Sequence, residues 1–158
     1  MTKSLITFVT VAMVLLFTSA YYAPVADGRV GYHAPSLNVG NGDESLSLAS
    51  LQGQYVVVTF WASSQPQSRF DNIRYSRLAE QIGTFRHMSV NLADDAEMVS
   101  VLSHVDGLES GSVYVPASGE ADRLAHNWRQ QGRYCSFLVS ADGKIALVNP
   151  TAEQLAEL

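Results

Sequence analysis

The hydrophobic pattern changes period several times along the chain, and each change marks an element. Val56-Val57-Val58-Thr59-Phe60-Trp61 is a short, nearly unbroken apolar and β-branched run. That is the pattern of a strand covered on both faces in the middle of an α/β sheet. Small polar residues follow, Ser63 and Ser64, and then Gln65-Pro66 opens an amphipathic segment. A hydroxyl residue just ahead of proline signals a helix start, because the hydroxyl accepts orphan amide protons and proline fits the first turn. The spacing predicts a long helix over Pro66–Ile82, with Phe70, Ile73, Leu78 and Ile82 as apolar contacts and Arg69, Arg74 and Arg77 mostly outward. Tyr55–Arg69 therefore reads as strand, tight turn and helix N-terminus.

Beyond it, Phe85–Leu92 alternates as a strand, with Met88, Val90 and Leu92 pointing one way. Ala93-Asp94-Asp95 precedes a predicted helix, Ala96–His104; the two aspartates are read as capping it, where negative charge favours the N-terminus, rather than as holding Mg²⁺ or Ca²⁺. Val113-Tyr114-Val115 is a short strand stopped by Pro116. Ala121–Gln131 is a helix with Leu124, Ala125 and Trp128 on its apolar side. Phe137–Ile145 forms a hairpin about an Asp142-Gly143 turn, and Thr151–Leu158 a final short helix. Upstream, Asn41-Gly42-Asp43 between Leu37–Val39 and Leu46–Leu48 is a hairpin signal.

The first twenty residues break from this pattern. Lys3 supplies a positive start, Leu5–Phe17 is mostly apolar, and Thr18-Ser19-Ala20 offers small residues at a cleavage site. About 13 apolar residues are short for a bilayer span, so residues 1–20 are read as a signal peptide and the protein as exported, periplasmic or in the cell envelope. A retained anchor is the alternative, and membrane contact is expected only then. Residues 21–30 are an extended leader, and 31–158 a single domain.

Composition narrows the chemistry. The net charge is −5, with no basic stripe, which gives nucleic-acid binding no support. A single cysteine, Cys135, excludes a disulfide framework and any multi-cysteine metal site. His33, His87, His104 and His126 are scattered without ligand spacing, so no metal and no cofactor is expected.

Val58-Thr59-Phe60-Trp61-Ala62-Ser63-Ser64-Gln65-Pro66-Gln67-Ser68-Arg69 resembles the V-x-F-W-A-[ST]-W-C-x-x-C-R pattern of the thioredoxin superfamily, specifically its extracytoplasmic TlpA/ResA-like redoxins. Further matching features are His33-Ala34-Pro35, the Leu46–Gln54 lead-in, and Leu124–Ile145 in outline, so the resemblance covers about Gly31–Leu158. It implies a thioredoxin-like α/β fold, a central mixed sheet flanked by helices with an N-terminal β-hairpin. It also places Gln65 at the attacking-cysteine position, Ser68 at the resolving-cysteine position and Tyr134 at the cis-proline position. Exchange needs a thiolate, which neither an amide nor an unactivated hydroxyl supplies. A non-proline cis bond costs about 3–4 kcal/mol, so the Arg133–Tyr134 bond is expected trans.

These departures imply a redox-inactive module that binds an envelope protein or peptide, with Trp61, Ser64, Gln65, Pro66, Ser68, Arg69 and Tyr134 lining the degenerate site. Trp61 has a second reading, as a structural wedge under the helix start. The alternative function is monothiol redox chemistry through Cys135, set against the reading of Cys135 as a buried, inert side chain. An anion or small-ligand site at the helix start near Ser64-Gln65, with Arg69 one turn in, is a third possibility. A hydrolase reading of Ser68 fails for want of a G-x-S-x-G elbow.

Overall fold

The computed structural model describes residues 26–39, 46–109, 112–117, 119–130 and 132–158. The predicted signal peptide and the Asn41-Gly42-Asp43 turn lie outside these residues. Among the described residues, seven strands and four α-helices follow in order: β1 (Asn38–Val39), β2 (Leu46–Ser47), β3 (Tyr55–Trp61), α1 (Pro66–Ile82), β4 (Phe85–Asn91), α2 (Ala96–Asp106), β5 (Val113–Tyr114), α3 (Glu120–Asn127), β6 (Ser136–Val139), β7 (Ile145–Val148) and α4 (Ala152–Ala156). A 3₁₀ turn, Leu48–Leu51, links β2 to β3.

The central sheet has the order β5-β4-β3-β6-β7. β3 lies parallel to β4 and antiparallel to β6, so Val58 sits between Met88 and Phe137. β1 and β2 form the separate N-terminal hairpin, pairing Asn38 with Ser47 and Val39 with Leu46. A mixed sheet flanked by helices, with an N-terminal hairpin, is the architecture predicted. The uninterrupted apolar run of β3 explains its central place, since residues 56–61 are buried on both faces.

Alternation along the strands divides the interior into two layers. One layer holds Val56, Val58, Phe60, Met88, Val90, Phe137, Val139 and Ile145, under Leu37, Leu51, Leu124 and Trp128. Trp128 anchors it, its ring 5.2 Å from both Phe60 and Phe137 in tilted and edge-on contacts. The other layer packs Val57, Phe85 and Leu138 against Tyr75 of α1 and Leu155 of α4.

Helix α1 packs the predicted Leu78 and Ile82 against the core, but its first half turns a polar face inward and leaves the predicted Phe70 in solvent. Its buried residues are Ser68, Asn72 and Tyr75, with Leu78, Ala79 and Ile82 packed further along, whereas Phe70 is 60% exposed. Two residues on from Ser68 is roughly 200° around a helix, which carries Phe70 to the solvent side. α2 runs to Asp106, past the predicted His104, before Gly107 closes it in the left-handed region. Asp95 alone caps its start, accepting from the Met98 amide at 2.8 Å. α3 stops at Asn127, short of Gln131, because Arg129 takes a left-handed φ of 54°. Thr151 and Gln154 cap α4 reciprocally.

Residues 26–30, predicted as extended leader, are bent and held on the domain. The segment they open bonds along β7: Gly31 N–H donates to the Ile145 carbonyl at 2.8 Å, and Ile145 N–H to the Tyr32 carbonyl at 2.9 Å. Asp27 takes hydrogen bonds from Arg29 and Arg129, and Gly28 crosses the Trp128 backbone so closely that a Cβ would lie 2.7 Å from its carbonyl carbon.

Candidate functional site

The site forms where β3 hands the chain to α1. Past Trp61 the backbone turns, closed by the Gln65 amide donating to the Ala62 carbonyl at 3.1 Å. Pro66 takes the first helical position, where its missing N–H costs nothing. Ser68, 5% exposed, donates its hydroxyl proton to the Gln65 carbonyl at 2.9 Å and accepts from the Ala62 amide at 3.3 Å. Gln65 does not cap the helix with its side chain. It reaches across to the loop before β6 instead, where its carboxamide oxygen accepts the Tyr134 N–H at 2.9 Å.

That loop is fastened on its other side by a second glutamine. The Gln130 carboxamide oxygen accepts the Cys135 N–H at 2.7 Å, and its nitrogen donates to the Trp128 carbonyl at 3.0 Å. Successive amides, 134 and 135, are thus each met by a glutamine side chain, one from just before α1 and one from just after α3. The Arg133–Tyr134 bond is trans, as is every peptide bond among the described residues. Tyr134 is half-buried against the core. Burial first, then the charges of Asp94 and Asp122, raise the pKa of its phenol. Cys135 is part-exposed rather than buried, with its thiol 3.8 Å from the Arg133 carbonyl.

Acidic residues hold the rim. Asp94, expected to cap a helix, accepts instead from the Ser63 amide, the Ser63 hydroxyl and the Asn91 amide group. Asn91, fully buried, in turn accepts from the Ala93 and Asp94 amides. Burial works to raise the Asp94 pKa, but the hydrogen bonds from Ser63 and Asn91 and the charge of Arg69 outweigh it, leaving the carboxyl below its ordinary value. Arg69 is committed to Asp106 through two parallel hydrogen bonds of 2.8 and 2.6 Å. The Asp106 hydrogen bond raises the guanidinium pKa, and the pair ties the first turn of α1 to the last turn of α2.

The structure therefore brings Gln65, Ser68 and Tyr134 together, with Ser64 and Pro66 exposed beside them. Trp61 does not line this surface. It is fully buried, its indole N–H donating to the Ser89 hydroxyl at 2.9 Å, so its structural reading is the one the geometry supports. Arg69 is held by Asp106 rather than presented to an anion at the helix start. Gln130, Asn91 and Asp106 belong to the site's framework but carry no local motif. Among the described residues no group of three or more histidine, cysteine, aspartate or glutamate side chains is placed to hold a metal ion.

A parallel β3-α1-β4 unit joined to an antiparallel β6–β7 hairpin, with the site at the start of α1, is the layout of the thioredoxin-like fold. A thioredoxin-like protein from Parabacteroides distasonis superposes with a TM-score of 0.70 at 20% identity, covering 84% of this chain and 96% of that one. The thioredoxin domain of a thiol-disulfide oxidoreductase from Bacteroides vulgatus gives 0.69 at 19%, over 82% and 94%. A thiol:disulfide interchange protein of the thioredoxin family from Chlorobium tepidum gives 0.61 at 19%, over 84% and 95%. No family model and no curated protein matches the sequence. At these identities the likeness concerns the fold.

Proposed function

We propose that this protein is a redox-inactive thioredoxin-fold module of the cell envelope that binds a protein or peptide partner at the surface around Ser64, Gln65, Pro66 and Tyr134. One observation carries the reading. The two positions at the head of α1 that the resemblance gives to cysteines hold Gln65 and Ser68, and both are built into the fold as hydrogen-bonding groups. A dithiol exchange site keeps its sulfurs for a substrate; here the equivalent atoms close a turn and a loop. The apolar N-terminal segment with Lys3 supports export. Among the described residues, no helix is long and apolar enough to cross a membrane.

The partial exposure of Cys135 favours keeping monothiol chemistry as the second reading. One assay separates the two. Reduction of a protein disulfide by dithiothreitol should proceed no faster with the protein than with buffer. Turnover above buffer that Cys135→Ser abolishes would establish the monothiol reading instead.

A further inference from the structure

We propose that Gln65 is an internal competitor for the surface it belongs to, its carboxamide oxygen standing where the carbonyl of a bound peptide would accept from Tyr134. The inference rests on the peptide-binding reading above and adds its regulation. A proline at position 134 would have no amide proton; Tyr134 has one, and the Gln65 oxygen meets it at 2.9 Å across 69 positions of sequence. The two glutamines of the loop differ in how firmly they are held. Gln130 is 7% exposed and bonds both the Cys135 amide and the Trp128 carbonyl, so it belongs to the framework. Gln65 is only part-buried, does not cap its helix, and among the described residues its side chain touches the loop through one hydrogen bond.

A glutamine carboxamide carries the same acceptor and donor groups as a peptide unit. What displaces it most directly is therefore another peptide unit: the backbone carbonyl of an extended segment laid against Tyr134. Exchange of one amide–carbonyl bond for another leaves the donor satisfied throughout. The internal contact then lowers the apparent affinity by the fraction of time that it is open.

The test uses the full chain, isotopically labelled for amide spectroscopy, as wild type, Gln65→Ala and Gln65→Glu, with acetyl-trialanine-N-methylamide as probe. Gln65→Glu keeps an acceptor oxygen at the same reach. Gln65→Ser, a favoured helix cap too short to span the gap, stands in if the alanine variant does not fold. The Tyr134 amide should exchange with solvent at least about tenfold faster in Gln65→Ala and at the wild-type rate in Gln65→Glu, a change of about 1.4 kcal/mol. The probe should bind Gln65→Ala about tenfold more tightly than wild type. Unchanged exchange at Tyr134 overturns the internal contact. Equal probe affinity for wild type and Gln65→Ala overturns the competition while leaving the peptide-binding reading in place. Faster exchange with no probe binding to any variant overturns both.

Discussion

The hydroxyl of Ser68 donates to the Gln65 carbonyl and accepts from the Ala62 amide, so the turn between β3 and α1 closes through a side chain as well as through the backbone. Gln65, three residues earlier, supplies the acceptor for an amide that a proline would lack. The two residues thus answer one another: Tyr134 presents a part-buried donor, and Gln65 satisfies it, where an unmet donor costs about 1–3 kcal/mol. Positions 65 and 68 remain neighbours at the head of one helix, a spacing that shares a face and reaches the Cβ separations a disulfide needs, about 3.5–4.5 Å. Gln65→Cys with Ser68→Cys, in a Cys135→Ser background, should form an internal disulfide in air and stay folded. The measurement is intact mass with and without reductant. A folded variant that never loses two hydrogens on oxidation would mean that these residues do not hold the two cysteine positions.

Helix α1 shows where a pattern of apolar residues misleads. Its sheet-facing stripe, Ser68, Asn72, Tyr75, Ala79 and Ile82, follows helical spacing but is polar for its first half. A search for apolar contacts therefore selects Phe70 and Ile73, and Phe70 lies mostly in solvent. β3 was legible because every position from Val56 to Trp61 is buried, so no choice of face was needed. The Asp142-Gly143 turn was legible because its chemistry is local, with Gly143 at a φ of 80°. The Gln65–Tyr134 and Arg69–Asp106 contacts were not, since each joins side chain to partner across distances that no local spacing encodes. Asn72 is fully buried, and neither its carboxamide oxygen nor its nitrogen has a hydrogen-bond partner among the described residues. Replacing such a group by an apolar one of similar volume removes a desolvation cost of about 1–3 kcal/mol. Asn72→Leu should therefore raise the midpoint of denaturant unfolding with an unchanged slope. A loss of stability would show that the carboxamide is satisfied in solution.

At the scale of the molecule, the segment from Ala26 binds β7 along one edge and Arg129 through Asp27, so the first described residues help fix the loop that leads to Tyr134. The stability of the whole should also register one histidine. His87 lies under α1 with its Nε2 3.1 Å from the Thr59 hydroxyl, whose oxygen accepts from Ser136, and its ring 6.5 Å from that of Tyr75. Burial lowers its pKa from 6.5 to about 4, because the imidazolium would be taken out of water. Above pH 6.5 the ring is neutral folded or unfolded, and its contribution is complete. As pH falls below 6.5 the unfolded chain takes up a proton that the fold resists, and stability drops until about pH 4, where the folded form protonates too. A shift of this size corresponds to at most about 3 kcal/mol, and to roughly 1–3 kcal/mol for a ring that solvent still partly reaches. Asp27 and Asp142 act in a separate window. Hydrogen bonds from Arg129 and from Ser140, respectively, lower each to about 2, so their contributions are lost only as pH falls from 3.8 toward 2. Denaturant unfolding at pH 7 and pH 5 should show the protein markedly weaker at the lower value. The same pair of measurements on His87→Gln should show little difference, since that side chain can still bond Thr59 but takes up no proton. An equal loss in both proteins would place the acid sensitivity elsewhere than at His87.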